Sequence, residues 1–219
     1  MPVRVGLKVI EIWNDSMEKA VQRYEQEPIQ KGQIVFYGPS YFTRWSERWG
    51  HVPLRKALLG KSGAECCINR GFGSSCPEHQ LYYYPRMIRP LEPKAFVYGS
   101  WGNSSAFGYS NEEAFFLAER VVAYARADFP DMPIYLMGAH FTLKSTDTDA
   151  SFSQHKAYNE MLKELAERTP NCHFFIPLEY EPLRDPTIFV EDRVHYNQRG
   201  FDLFADYFRE ILKDELDQF

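Results

Sequence analysis

Apolar residues along this chain fall into two patterns: short continuous runs, and longer stretches in which they recur every three or four positions. The first run, Gln33-Ile34-Val35-Phe36-Tyr37, ends at Gly38, and four more follow at Glu65 to Asn69, Ala95 to Gly99, Ile134 to Gly138 and His173 to Pro177. Continuous rather than alternating apolar character predicts parallel strands covered on both faces. Several runs close on Gly, Asn or Pro, the residues that hand a strand over to a loop.

The periodic stretches predict helices. Ile10, Trp13, Met17, Val21 and Tyr24 form one stripe, so residues 1–30 are expected to be an N-terminal helical extension lying across the domain surface. Asn111 to Ala127 follows a capping Ser110 and carries Glu112 and Glu113 in its first turn, where the helix dipole favours negative charge. A helix over Ser153 to Arg168 puts Tyr158, Met161, Leu162 and Leu165 on one face. The last, from near Asn197, spaces Phe201, Phe204, Phe208, Ile211 and Leu212. Pro85, Pro90 and Pro93 read as a single loop leading into the third strand. Strands alternating with helices predict an α/β domain with a mainly parallel sheet. No repeat or long linker interrupts it, so residues 1–219 are expected to form one domain.

Charge and composition narrow the partners. The net charge is -5 and no basic block stands out, so a nucleic-acid partner is not expected. No stretch reaches the ~18 apolar residues of a membrane helix, and no signal-like segment begins the chain, so the expected compartment is the cytoplasm. Cys66, Cys67, Cys76 and Cys172 form no C-x-x-C pair and read as reduced structural thiols. His51, His79, His140, His155 and His173 lack ligand spacing, so no metal is expected.

In an open parallel sheet, ligands bind beyond the carboxyl ends of the strands. Gly38-Pro39-Ser40-Tyr41-Phe42-Thr43-Arg44-Trp45 follows the first strand, with Ser40 at or near a helix start. Asn69-Arg70-Gly71-Phe72-Gly73-Ser74-Ser75 follows the second and Trp101-Gly102-Asn103-Ser104 the third. Asp192-Arg193-Val194-His195 precedes the last helix. A serine hydroxyl needs a base to take its proton, and a histidine serves when a carboxylate fixes its tautomer. Asp192 and His195, three apart, can be brought together by one turn. An oxyanion then needs prearranged donors, which the Asn103 side chain and the backbone near Gly73 and Ser74 can supply. His140 is a candidate to border the pocket. Tyr41, Phe42, Trp45, Phe72 and Trp101 are candidates for an aromatic rim, with half of them expected in the core.

The blocks I-V-F-Y-G-P-S-Y-F-T-R-W, I-N-R-G-F-G-S-S, V-Y-G-S-W-G-N-S-S-A-F-G and E-D-R-V-H-Y-N-Q-R-G-F resemble, in order, the four blocks of the SGNH (GDSL-like) hydrolases. The resemblance spans about residues 33 to 205. It implies a three-layer α/β/α flavodoxin-like sandwich with about five strands, and ester hydrolysis through an acyl-enzyme without metal or cofactor. Carried over by motif, Ser40 is the nucleophile, His195 the base and Asp192 its orienter. The backbone N–H of Ser40, the turn at Gly73 and Ser74, and Asn103 serve as oxyanion donors; of the aromatic-rim candidates, Tyr41 and Trp101 are expected to contact substrate. Three departures stand out: Pro39 replaces the usual acidic residue, Ser74 occupies the oxyanion-glycine position, and Ser104 replaces an aspartate, which should weaken its loop's hydrogen bonding. The implied substrate is a small-molecule or carbohydrate ester with a short acyl group. The alternatives are a catalytically silent carbohydrate-binding module on the same fold, suggested by Trp101, and a mononucleotide binder, which Tyr41 and Phe42 fit poorly.

Overall fold

The computed structural model describes residues 8–146 and 149–219. The five apolar runs form β1 (Ile34–Gly38), β2 (Cys67–Gly71), β3 (Ala95–Gly99), β4 (Ile134–Met137) and β5 (Cys172–Phe175). All pair in parallel, in the order β2-β1-β3-β4-β5. The second strand sits two residues beyond the expected span because its polar end is useful to the fold. Asn69 Nδ2 donates to the carbonyls of Phe42 and Trp45 (2.7 and 3.2 Å), and Arg70 pairs with Glu27 at 2.6 Å.

Side-chain alternation along each strand splits the interior into two cores. Ile34, Phe36, Ala95, Val97, Tyr135 and Met137 face one layer, which contains α2 (Ser40–Thr43), α3 (Leu54–Ala57) and α7 (Gln198–Ile211). Val35, Tyr37, Phe96, Tyr98, Ile134 and Leu136 face the other, formed by α1 (Lys8–Glu25), α4 (Pro77–Met87), α5 (Asn111–Asp128) and α6 (Asp149–Arg168). The result is a three-layer α/β/α sandwich with the loops that carry the candidate site at the carboxyl edge of the sheet. Phe204 of α7 joins the first core to both ends of the site, stacking on Phe42 and Trp45 and meeting Tyr196 edge-on. Its replacement by alanine is expected to cost about 3–5 kcal/mol, read as a lower urea midpoint at unchanged slope.

Helix α4 corrects the expected proline loop. Pro77 occupies its first turn, where the missing N–H costs nothing, and Pro85 falls inside it just before the helix ends. Tertiary contacts outweigh the lost bond. Tyr37 Oη donates to the Gln80 carbonyl (2.7 Å) and Tyr98 Oη to Gln80 Oε1 (2.8 Å), satisfying two buried hydroxyls beneath the helix. On α1, Met17 and Val21 enter this core, while Arg86 of α4 binds Glu18 (2.8 Å) and Glu25 (2.7 Å). The side chains of Ile10 and Trp13 fall outside the described residues. Ser110 caps α5 as expected, accepting from the Glu113 N–H at 3.2 Å while Glu113 Oε2 accepts from the Ser110 N–H at 3.0 Å. The four cysteines are free thiols, and among the described residues no helix is long and apolar enough to cross a membrane.

Candidate active site

Strand β1 delivers the chain through Gly38 and Pro39 directly into α2, whose first residue is Ser40. This turn lies on the ends of the neighbouring strands, and only glycine permits the approach. A Cβ on Gly71 would stand 2.5 Å from the Thr43 nitrogen, and one on Gly99 would stand 2.1 Å from Tyr41 Oη.

Asp192 and His195 occupy a tight turn closed by a bridge between Phe189 and Tyr196. Arg193 holds the left-handed conformation (φ 62) that lets the chain reverse there, a strain typical of functional turns. Asp192 Oδ1 accepts from the backbone N–H groups of Val194 and His195, each at 2.9 Å. Its Oδ2 lies 2.7 Å from His195 Nδ1, and His195 Nε2 lies 2.7 Å from Ser40 Oγ across 155 positions of sequence. An ionised carboxylate only accepts, so Nδ1 carries the imidazole proton and Nε2 is left to accept from the serine hydroxyl. Partial burial opposes charge on Asp192, but the two backbone donors and the imidazole outweigh it and hold the carboxyl well below its usual range. Burial also lowers the His195 pKa from the ordinary imidazole value; Asp192 pulls it up, and Arg44 and Lys144 push it further down.

Arg44 is the polar contact that sequence reading missed. Its Nη1 donates to Asp192 Oδ2 at 2.9 Å, and its guanidinium lies 4.6 Å from the centre of the Trp49 ring. The one signal was its place four residues after Ser40, on the same side of a helical turn.

Asn103 adopts φ 63, and its Nδ2 donates to the Ser75 carbonyl at 2.9 Å, tying the third loop to the second. Ser75 is held in turn by Gln80 Nε2, 3.3 Å from its hydroxyl, so α4 supports the Asn103 loop from below. The loop bonds within itself without the aspartate of the family pattern: the carbonyl of Ser104 accepts from the N–H groups of Phe107 and Tyr109, both at 3.1 Å.

A cavity of about 310 Å³ opens over Ser40 and His195. Tyr41, Trp101, Asn103, His140, His155 and Tyr158 contribute to its wall, but Gly73 and Ser74 do not. Phe42, Trp45 and Phe72 are fully buried in the cores, so of the five rim candidates only Tyr41 and Trp101 line the pocket. Trp101 packs against His155 and Tyr158 at 4.5 and 5.0 Å. His140 is held by the loop after β4, where the Ala139 N–H donates to Asn159 Oδ1 at 2.8 Å. Burial, helped by repulsion from His195 and His155, pushes the His140 pKa down to about 3, so it is neutral at working pH. A larger hollow of about 490 Å³ lies along edge strand β2 near Tyr24 and Arg70 and contains none of the three side chains above. Among the described residues, no group of three His, Cys, Asp or Glu side chains is placed to hold a metal ion.

No protein-family profile matches the chain, and no curated protein matches it by sequence. Solved structures do. A Streptococcus pneumonia protein, provisionally named as a platelet activating factor, is 18% identical with a TM-score of 0.73, covering 96% of this chain and 97% of its own. A GDSL-like lipase from Bacteroides thetaiotaomicron is 15% identical with a TM-score of 0.68, covering 91% and 98%. A mutant acetyl-xylooligosaccharide esterase from Geobacillus Stearmophilus is 16% identical with a TM-score of 0.65, covering 84% and 95%. At such identities the likeness speaks for architecture alone: with its parallel five-stranded sheet between two helical layers, the chain has the fold of the GDSL-like (SGNH) hydrolases.

Proposed function

We propose that this protein is a serine esterase that hydrolyses short-chain or acetyl esters, including esters of carbohydrates, through an acyl-enzyme. The observation that carries this reading is the unbroken chain of hydrogen bonds from Ser40 to His195 to Asp192, 2.7 Å at each link. As an acyl carbon approaches, His195 Nε2 takes the Ser40 proton and Oγ forms the new C–O bond. Asp192 holds the imidazole in the accepting tautomer and stabilises the imidazolium. His195 then returns the proton to the leaving alcohol. In the second half, it takes a proton from water, whose oxygen attacks the acyl carbon; Ser40 leaves and regains its proton.

The oxyanion falls to the backbone N–H of Ser40 and the second N–H of the Asn103 amide; the turn at Gly73 and Ser74 does not line the cavity and has no part in this role. Of the two donors, the amide is the better supported, because its first N–H is already engaged with Ser75 and fixes the group's direction. Asp192 and His195 need no metal to work in these roles. The modest cavity supports a small acyl group. The Trp101 ring in its wall supports contact with a sugar face, the feature this reading shares with a silent carbohydrate-binding module.

A fluorophosphonate probe distinguishes the two. An esterase acquires one adduct, mapped to the Ser40 peptide by mass spectrometry and missing in Ser40→Ala. A binding module takes up saccharide and stays unlabelled. Comparing p-nitrophenyl acetate, longer acyl esters and acetylated xylooligosaccharides then ranks substrates.

A further inference from the structure

We infer that Arg44 is a positioning residue of this site: from the helical turn that carries Ser40, it holds the Asp192 carboxylate in the orientation that serves His195. The inference rests on the serine-esterase reading.

The geometry is a double link between two short segments. The Arg44 N–H donates to the Ser40 carbonyl at 2.8 Å, so the two side chains leave the same face of one turn. Ser40 meets His195 at 2.7 Å, and Arg44 meets Asp192 at 2.9 Å. Nucleophile and base are thus joined twice, once directly and once through the carboxylate. Asp192 Oδ2 serves both His195 and Arg44, one partner for each lone pair, and Oδ1 is filled by two backbone donors. Every acceptor site of the carboxylate is therefore assigned, leaving a single orientation. Arg44 is itself steadied by lying against the Trp49 ring, 4.6 Å from its centre.

Magnitude argues against a mainly structural role. The Arg44 and Asp192 side chains are 25% and 35% exposed, and ion pairs with that much solvent contact add little to stability. The charge has a direct consequence for the base. The groups facing His195 are Asp192, Arg44, Lys144 and His140; Arg44 also faces His51. Of these, Asp192 alone favours the imidazolium, while Arg44 and Lys144 oppose it and His140 stays neutral. Removing the Arg44 charge therefore lets His195 keep its proton to higher pH.

The test is the pH dependence of kcat/KM for p-nitrophenyl acetate in wild type, R44Q, R44K and S40A, with thermal midpoints recorded. R44Q is expected to move the acid limb to higher pH, so that its activity relative to wild type falls progressively as the pH is lowered, with its midpoint close to wild type. R44K keeps the charge and is expected to keep the limb in place. It should lose kcat, since an ammonium cannot reproduce the planar contact. An unmoved acid limb in R44Q, an equal shift in R44K, or an R44Q protein that does not fold each overturns the inference. If S40A hydrolyses the ester like wild type, the serine reading fails first. If S40A is inactive while R44Q keeps the wild-type limb, only the role of Arg44 fails.

Discussion

Ser40→Ala is expected to lower kcat/KM for a short acyl ester by roughly 10⁴- to 10⁶-fold while the protein stays folded. Ser40 makes its side-chain contact with His195 alone, and alanine fits the same first turn of α2, so no buried group loses a partner except the imidazole. What remains in the proposed mechanism is the oxyanion donors and the pocket, which would orient an ester but offer no nucleophile. The measurement is a stopped assay with p-nitrophenyl acetate beside a circular-dichroism melt. Activity within tenfold of wild type would transfer the chemistry to another residue.

The second large effect is that of Asp192→Asn, expected to cost about 10⁴-fold. An amide has one oxygen and one NH₂ where the carboxylate has two oxygens. With its oxygen kept on the N–H groups of Val194 and His195, the NH₂ is turned toward His195 Nδ1 and the Arg44 guanidinium. A donor then faces two donors. The imidazole relieves this by moving its proton to Nε2, where it meets the Ser40 hydroxyl as a donor and can no longer accept. Arg44 has no such escape, which adds to the loss. Raising the pH is not expected to restore activity, because the fault lies in the tautomer rather than in the charge.

The wild-type pH profile follows from the same residues. In the proposed mechanism His195 must be neutral, and burial with the nearby Arg44 charge sets its pKa below the ordinary imidazole value of about 6.5. The acid loss of kcat/KM is therefore expected at lower pH than for a free imidazole. Asp192 is held ionised well below that range and does not contribute to the limb.

Much of this was legible in the linear chain, for definite reasons. A strand buried on both faces has to be apolar at every position, so β1, β3 and β4 were readable almost to the residue. Strand β2 was not: its end carries Asn69 and Arg70, polar side chains engaged by Phe42, Trp45 and Glu27, partners that no local pattern names. Helix α4 was hidden because Pro85, with Pro90 and Pro93 after it, reads as a loop, whereas the hydroxyls of Tyr37 and Tyr98 beneath the helix are partners that no local pattern names. The aromatic positions were readable as apolar but not as core or pocket. Phe42 and Tyr41 are adjacent in the chain and both are buried in the same core, yet Tyr41 alone of the two also reaches the cavity wall.

By itself the order of residues determined the α/β class and singled out Ser40, Asn103, Asp192 and His195, because strand ends and short turns are local features. Folding alone decided the rest: which nitrogen of His195 meets Ser40, that the Asn103 amide is steadied by Ser75, that His140 stays neutral in the wall, and that Arg44 and His195 share one oxygen of Asp192. Hydrogen bonds act over about 3 Å, and the partners in these bonds are as many as 155 positions apart. No periodicity spans that distance; the parallel sheet does so by bringing its loops to one edge.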